Sequence, residues 1–351
     1  MFAEKIINWY HENGRDLPWR NTDDPYLIWL SEIILQQTRI EQGLDYYHHF
    51  IHEYPTVRHL AAATTEQVLK SWQGLGYYSR ARNLHAAARH IAYDLDGIFP
   101  DTYKGILSLK GVGPYTAAAI ASFAFRLPYP VIDGNVYRFI SRLYGIHTPI
   151  GTTAAYREFE TLLAKLIDKK RPDLFNQAIM DFGSIYCKPI EPDCTSCIFY
   201  RECVARNEGQ VALLPAKPLH KQATTRYFYY LDTRWDLPRQ TMLMHQRGPG
   251  DIWQGLYEPP LLETAQPIAS QHLLATAEDK LIEWFGEKPL SIQCGPEYTH
   301  QLTHRTIKAK FLHVKFNRQP CKIPEYMLPI AITDIKTLPI SRLIDRYLSE
   351  M

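Results

Sequence analysis

Two carboxylates, a glycine turn and a cysteine quartet are the residues of this chain whose types and spacing suit chemistry. Glu32 lies in Leu27-Ile-Trp-Leu-Ser-Glu-Ile-Ile-Leu35, a stretch apolar at seven of nine positions. A helix of that composition is buried on most sides. Desolvation there costs an ionised glutamate several kcal/mol unless it is paired, so the site raises its pKa. Two readings follow: a general acid kept protonated near neutrality, or a carboxylate paired with an arginine at a helix contact. Asp133, in Val131-Ile-Asp-Gly-Asn-Val136, has turn chemistry around it. It reads as the cap of the next helix, as an ionised group held at that helix's N-terminus for catalysis, or as both.

Leu107-Ser-Leu-Lys-Gly-Val-Gly-Pro-Tyr115 places two glycines in a tight turn before a proline suited to the first position of a helix. Tyr103 to Leu109 reads as a shorter helix before it. The result is helix, hairpin, helix, in which Lys110, Gly111, Val112 and Gly113 can hold a phosphate without reading sequence. Cys187, Cys194, Cys197 and Cys203 form Cys-x6-Cys-x2-Cys-x5-Cys. Four thiols so close, in a chain otherwise of intracellular character, point to metal ligation rather than disulfides, and spacing alone leaves zinc and iron–sulfur open. Gln36-Gln37-Thr38 and Trp72-Gln-Gly-Leu-Gly-Tyr-Tyr78 read as loop edges whose planar side chains can wedge into a base stack, with helix capping and core packing as the alternatives.

The elements that must position these groups fall into two halves. Residues 1 to about 205 carry helical patterns, including 26–37 after the Asp24-Pro25 cap, 39–52, 78–95, 114–125, 135–145, 154–168 and 174–187. Thr64 and Gln67 fit a capping box for a helix through Trp72. After the linker-like Leu214-Pro-Ala-Lys-Pro218, strands are expected at 225–231, 241–246 and 306–316 and helices at 271–285 and 340–349. The composition, 46% hydrophobic and 22% charged with net charge +2, is that of an ordinary globular protein, and charge alone announces no partner. No apolar run approaches a membrane span, and Met1-Phe-Ala-Glu-Lys5 begins a helical pattern without a signal-peptide core. The expectation is a cytoplasmic, bacterial protein with no membrane partner.

Taken together, Leu17-Pro-Trp-Arg20, Trp29 to Thr38, Gln73 to Tyr78, the hairpin, Asp133-Gly-Asn-Val136, Asn176-Gln-Ala178, Met180-Asp-Phe-Gly183 and the cysteines resemble the helix-hairpin-helix DNA glycosylases, and closely the adenine DNA glycosylases of the MutY type. The resemblance implies a mostly α helix-hairpin-helix glycosylase fold with an iron–sulfur loop, plus a C-terminal α+β Nudix-like domain. It places the glycosylase region at 1–210 (a six-helix part at about 21–125, a cluster part at 1–20 and 126–210), the linker at 211–222 and an 8-oxoguanine recognition domain at 223–351.

The implied reaction is removal of adenine mispaired with 8-oxoguanine or guanine in double-stranded DNA, by a monomer, in base excision repair. Glu32 would protonate the flipped adenine and Asp133 would stabilise the cationic sugar, with Tyr115 and Asn135 positioning them and Trp19 and Arg20 lining the adenine side. Gln37, Thr38, Leu75 and Tyr77 would probe around the 8-oxoguanine, and the cysteines would hold a 4Fe-4S cluster. Thr303 and His304 belong to His300-Gln-Leu-Thr-His304, which stands where the family carries His-x-Phe-Ser-His. Arg247 to Glu258 matches the opening strands of the Nudix-like domain, and no catalytic Nudix box is present. The competing readings are an endonuclease III-like glycosylase/lyase, opposed by Tyr115 standing where such enzymes place a Schiff-base lysine, and a non-catalytic DNA damage-binding protein.

Overall fold

The computed structural model describes residues 1–218, 224–236 and 239–350. The expected linker, 211–222, therefore lies outside the described residues from position 219 onward. Its described part is tied down: Leu214 O accepts from Arg142 Nε at 3.1 Å, and Ile150 N–H donates to Ala216 O at 3.0 Å. The chain forms two compact units, Met1–Ala62 with Asn83–Leu219, and Ala63–Arg82 with His220–Met351.

The first unit is helical. Asp24 caps the helix Pro25–Ile34 through its bond from Tyr26 N–H, and eight of its ten residues are buried. The helix ends three residues before the expected Gln37, because the chain turns there and Gln37 takes φ +56°. Helix Tyr103–Leu107, the turn, and helix Pro114–Phe123 make the expected helix-hairpin-helix. Gly111 has φ +82°, and a Cβ there would lie 2.6 Å from the Asn83 side chain, so a larger residue would both strain and clash. Helix Gly134–Tyr144 follows, capped by Asp133. The long patterns at 78–95 and 174–187 are each an α-helix, Ser79–Arg89 and Pro172–Asp181, continued by a wider π turn, His90–Asp94 and Phe182–Tyr186. Apolar periodicity does not distinguish the two turn types. Ile6, Trp9, Phe139, Phe159, Phe175 and Phe182 centre the core.

In the second unit, the capping box of Thr64 and Gln67 opens helix Thr65–Ser71. The sheet contains β1 (Thr224–Trp235), β2 (Thr241–Gln246), β3 (Tyr257–Glu258), β4 (Leu261–Thr264), β5 (Ser291–Gln301), β6 (Arg305–Lys315) and β7 (Met327–Ala331). Its order is β3-β2-β1-β6-β5, with β4 also on β1 and β7 on β2. β1 and β6 are parallel and the other pairs antiparallel. Helix Ser270–Phe285 covers one face and helix Arg342–Ser349 the other, which makes an α/β/α sandwich. Sequence patterning did not reveal β5, because Gly295-Pro296 in its middle reads as a turn. The strand absorbs them as an irregularity between Cys294 and Glu297.

Ala63–Arg82, sequence-expected inside the six-helix part, packs with the sheet unit. The contacts responsible are Tyr78 OH to Ile340 O at 3.2 Å, Arg82 Nη1 to Gln254 O at 2.9 Å, and the Lys70 bonds described below.

Candidate active site and base-recognition face

Glu32 is 7% exposed. Burial, together with the nearby charge of Asp133, pushes its pKa up to about 7 against a hydrogen bond from Tyr115 and the charge of Arg20. Tyr115 itself, on the first turn of helix Pro114–Phe123, is held well above the usual phenol range by burial and by Glu32 and Asp133, so it stays a donor. The arginine-paired alternative for Glu32 does not describe the site: Arg20 gives its guanidinium to Asp181, at 2.6 and 2.8 Å.

Asp133 caps its helix and lies within electrostatic reach of Glu32. Its Oδ1 accepts from Val136 N–H at 2.7 Å and its Oδ2 from Asn135 Nδ2 at 2.6 Å. Burial raises its pKa above the usual aspartate value, and these two donors and Arg138 offset only part of that rise. Burial thus pushes both carboxyls toward the proton, and Asp133 differs from Glu32 in lying at a helix N-terminus, which favours its charged form. Asn135 is fixed in turn by Arg138, which donates to Asn135 Oδ1 at 2.9 Å, to Cys187 O at 2.9 Å and to Gly183 O. Gly183 has no space for a side chain, since a Cβ would sit 2.5 Å from Asn135 O.

Trp19 is buried edge-on against Tyr47, ring centres 5.1 Å apart. Sequence reasoning did not single out Asp181, which is 0% exposed and takes bonds from both Arg15 and Arg20. The signal was present: a lone acid in Ala178-Ile-Met-Asp-Phe182, the same argument that marks Glu32. Gln37 is exposed and Thr38 half-buried, while Gln36 is tied to Thr116 Oγ1 at 3.2 Å. At the hairpin, Lys110 and Gly111 are exposed, Val112 is buried, and nothing lies within 4 Å of the place where Gly113 would carry a Cβ.

The four cysteines line one cavity with Phe139, Leu143, Phe182, Phe199 and Arg142. Arg142 spans the loop, donating to Lys188 O at 2.7 Å, to Pro189 O at 3.1 Å and to Cys187 Sγ at 3.5 Å. Among the described residues no three His, Cys, Asp or Glu side chains gather closely enough for a metal ion.

The second unit holds a cavity of about 620 Å³ lined by residues 74–79, Arg82, 250–253, 300–305 and Arg342. Tyr77 is 46% exposed there, while Leu75 is 8% exposed and turned into the core, so Tyr77 is the more accessible of the two probing candidates. Thr303 and His304 are exposed, and the Thr303 hydroxyl is hydrogen-bonded to that of Tyr77. Leu302, in place of the family's aromatic, packs inward against the sheet, and its N–H closes the turn on Arg305 O at 2.8 Å. Arg305 meets Asp251 at 3.1 Å, and Asp251 also binds Arg226 and Arg247. Among the described residues no helix is long and apolar enough to cross a membrane.

Residues 30–167 match the HhH-GPD superfamily base excision DNA repair protein family, and residues 237–350 match the NUDIX domain. An adenine DNA glycosylase of Buchnera aphidicola subsp. Acyrthosiphon pisum is 32% identical over 87% of this chain and 83% of its own. That of Mus musculus is 38% identical over 62% of this chain and 44% of its own. Among solved structures, a thermostable thymine-DNA glycosylase is similar at a TM-score of 0.55, with 30% identity over 59% of this chain and 95% of that one. With two carboxyls within electrostatic reach of each other beside a helix-hairpin-helix, and a relative matched over 83% of its own length, the chain belongs to the adenine DNA glycosylase family, enzymes of base excision repair.

Proposed function

We propose that this chain hydrolyses the bond between adenine and deoxyribose where adenine stands opposite 8-oxoguanine or guanine, without cutting the strand. The observation that carries the reading is the pair Glu32 and Asp133: burial raises the pKa of both, Glu32 to about 7, while Asp133 caps a helix and accepts from Val136 N–H and Asn135 Nδ2, donors that favour its charge. The adenine, flipped from the duplex, takes a proton from Glu32 and so leaves as a neutral base. Asp133, its charge held by Val136 N–H and Asn135, stabilises the positive charge that develops on the sugar. Tyr115 orients Glu32, and Arg20, anchored on Asp181, lines the adenine side with Trp19. Lys110, Gly111, Val112 and Gly113 grip the backbone phosphate. Gln37, Thr38, Tyr77, Thr303 and His304 read the opposite base, and Leu75, buried, supports the Tyr77 loop rather than touching that base. The functional regions proposed are 1–210 for the glycosylase and 223–351 for recognition, joined by 211–222.

The test is incubation with an adenine:8-oxoguanine duplex, sampled before and after hot alkali. Strand breaks are expected only after alkali, because the Tyr115 phenol cannot form an imine with the opened sugar. Asp133→Asn is expected to lose base release. Full cleavage without alkali would reject the reading in favour of a lyase, and equal background rates in both proteins would support a binding scaffold. In the same assay, Thr303→Val keeps the side chain's shape and removes its hydroxyl. Preference for 8-oxoguanine over guanine is expected to fall by up to about tenfold, with the chemical step on bound duplex unchanged. An unchanged preference would remove Thr303 from the reading face.

The same reading gives the cysteine loop a 4Fe-4S cluster. Cys187, Cys194, Cys197 and Cys203 line one cavity, and Arg142 donates to Cys187 Sγ at 3.5 Å, a thiol set with a cation beside it that suits an anionic thiolate-held group. When bound, the cluster supplies iron–thiolate bonds that cross-link residues 187–203. Protein purified without oxygen is expected to carry about four irons per chain and broad absorbance near ~400 nm. Stoichiometric zinc in a colourless, active preparation would overturn the assignment.

A further inference from the structure

The loop from Trp72 to Tyr78 turns through Gly74, Gly76 and Tyr77, all at positive φ, and lies outside the described strands. Side chains hold it from behind. Trp72 Nε1 donates to Gly76 O at 3.0 Å, and Arg80 Nη2 donates to Leu75 O at 3.3 Å and to Gly76 O at 3.2 Å. The Arg80 guanidinium stands 5.0 Å from the Trp72 ring and 5.8 Å from that of Tyr77. This internal frame is then joined to one distant stretch, Lys336 to Ile340, which leads into helix Arg342–Ser349. Lys70 Nζ donates to Lys336 O at 2.5 Å, to Leu338 O at 3.2 Å and to Gln73 Oε1 at 3.0 Å. Gln73 Oε1 also accepts from Ile340 N–H at 3.5 Å.

A lysine on a helix surface ordinarily keeps its ammonium in water on a flexible stem. Here the ammonium is drawn into a knot of carbonyls separated from it by more than 260 positions in sequence. We propose that Lys70 and Gln73 are positioning residues. They fasten the Tyr77 loop to the C-terminal sheet unit, so that Tyr77 and the 300–305 turn present one preset surface to the base opposite adenine. The Tyr77–Thr303 hydroxyl contact is the point at which the two parts meet. The inference rests on the proposed reading of 8-oxoguanine by that face and adds what sets its geometry.

The test uses the full chain and two variants. Lys70→Met keeps the stem and removes the donors, and Gln73→Met removes the shared acceptor. Without DNA, amide hydrogen exchange at Gly74 to Tyr78 is expected to rise about tenfold in each, with β1 and β6 amides unchanged as the control for an intact fold. Preference for adenine opposite 8-oxoguanine over guanine is expected to fall by about tenfold, while release from saturated adenine:8-oxoguanine duplex stays within about twofold. Unchanged exchange in both variants would overturn the proposal. Faster exchange with the preference intact would overturn it as well, since loop order would then not govern reading. Failure of the unmutated chain to release adenine would count against the proposed function alone, and the exchange result would still decide whether the fastening exists.

Discussion

Glu32→Gln is expected to lower single-turnover adenine release by ~10²–10⁴-fold, the loss typical of a removed general acid. The pH dependence should change with it. Glu32, with burial pushing its pKa up to about 7, holds its proton below that pH and loses it above. Wild-type release is therefore flat on the acidic side of about 7 and falls toward alkaline pH, and the glutamine variant should lack that limb. Stability should move the opposite way. The folded pKa is above the unfolded value, so the folded state binds more protons between the two. Wild-type stability then declines as pH rises from about 4.5 to about 7. Glutamine abolishes that decline, and at pH 8 the variant should be the more stable by up to about 3 kcal/mol. Urea unfolding at pH 5 and pH 8 beside the rate profile checks both halves. A variant that keeps its rate within threefold would remove Glu32 from the chemistry.

Asp181→Asn is expected to cost about 3–5 kcal/mol of stability at neutral pH, the usual result of removing one partner from a buried charge cluster. Asp181 is fully buried. Burial alone would raise its pKa, but hydrogen bonds from Arg20 and Arg15 more than offset this and hold it below the usual carboxylate range. The stability it contributes is present above the unfolded pKa of about 3.9 and is lost as pH falls through the folded value. Wild type and variant should therefore converge in strongly acidic solution.

The same substitution frees the Arg20 charge that Asp181 now neutralises. That charge favours the ionised form of Glu32, so the alkaline limb of the release profile should move to lower pH. Denaturant midpoints across pH, with the rate profile of the surviving folded fraction, test both effects. A midpoint within about 0.5 kcal/mol of wild type would show that Asp181 is not the anchor described.

The catalytic candidates were legible in the sequence because their signals are local. An acid in an apolar helix, an aspartate before Gly-Asn, two glycines before a proline and four cysteines in one loop each carry their meaning within a few residues. The helix-hairpin-helix was legible for the same reason. Turn and cap preferences depend on neighbours in the chain, and the structure puts Asp24, Thr64, Thr102 and Asp133 at the caps their side chains suit. Glu32 and Asp133, a hundred positions apart, are brought within electrostatic reach only by the fold.

The commitment of Arg20 to Asp181, the inward turn of Leu302 and the burial of Leu75 were likewise decided by tertiary structure. So was the membership of residues 63–82 in the sheet unit, which their helical pattern could not convey. Arg20 meets a partner 161 residues away and Lys70 one 266 away, and composition at either end says nothing of which surface will meet it. Sequence determined what each segment could do by itself, since capping, turning and burial preferences act over one or two helical turns. The tertiary structure decided which of those groups share a hydrogen bond, a charge or a cavity, because desolvation and pairing exist only once distant segments close over one another.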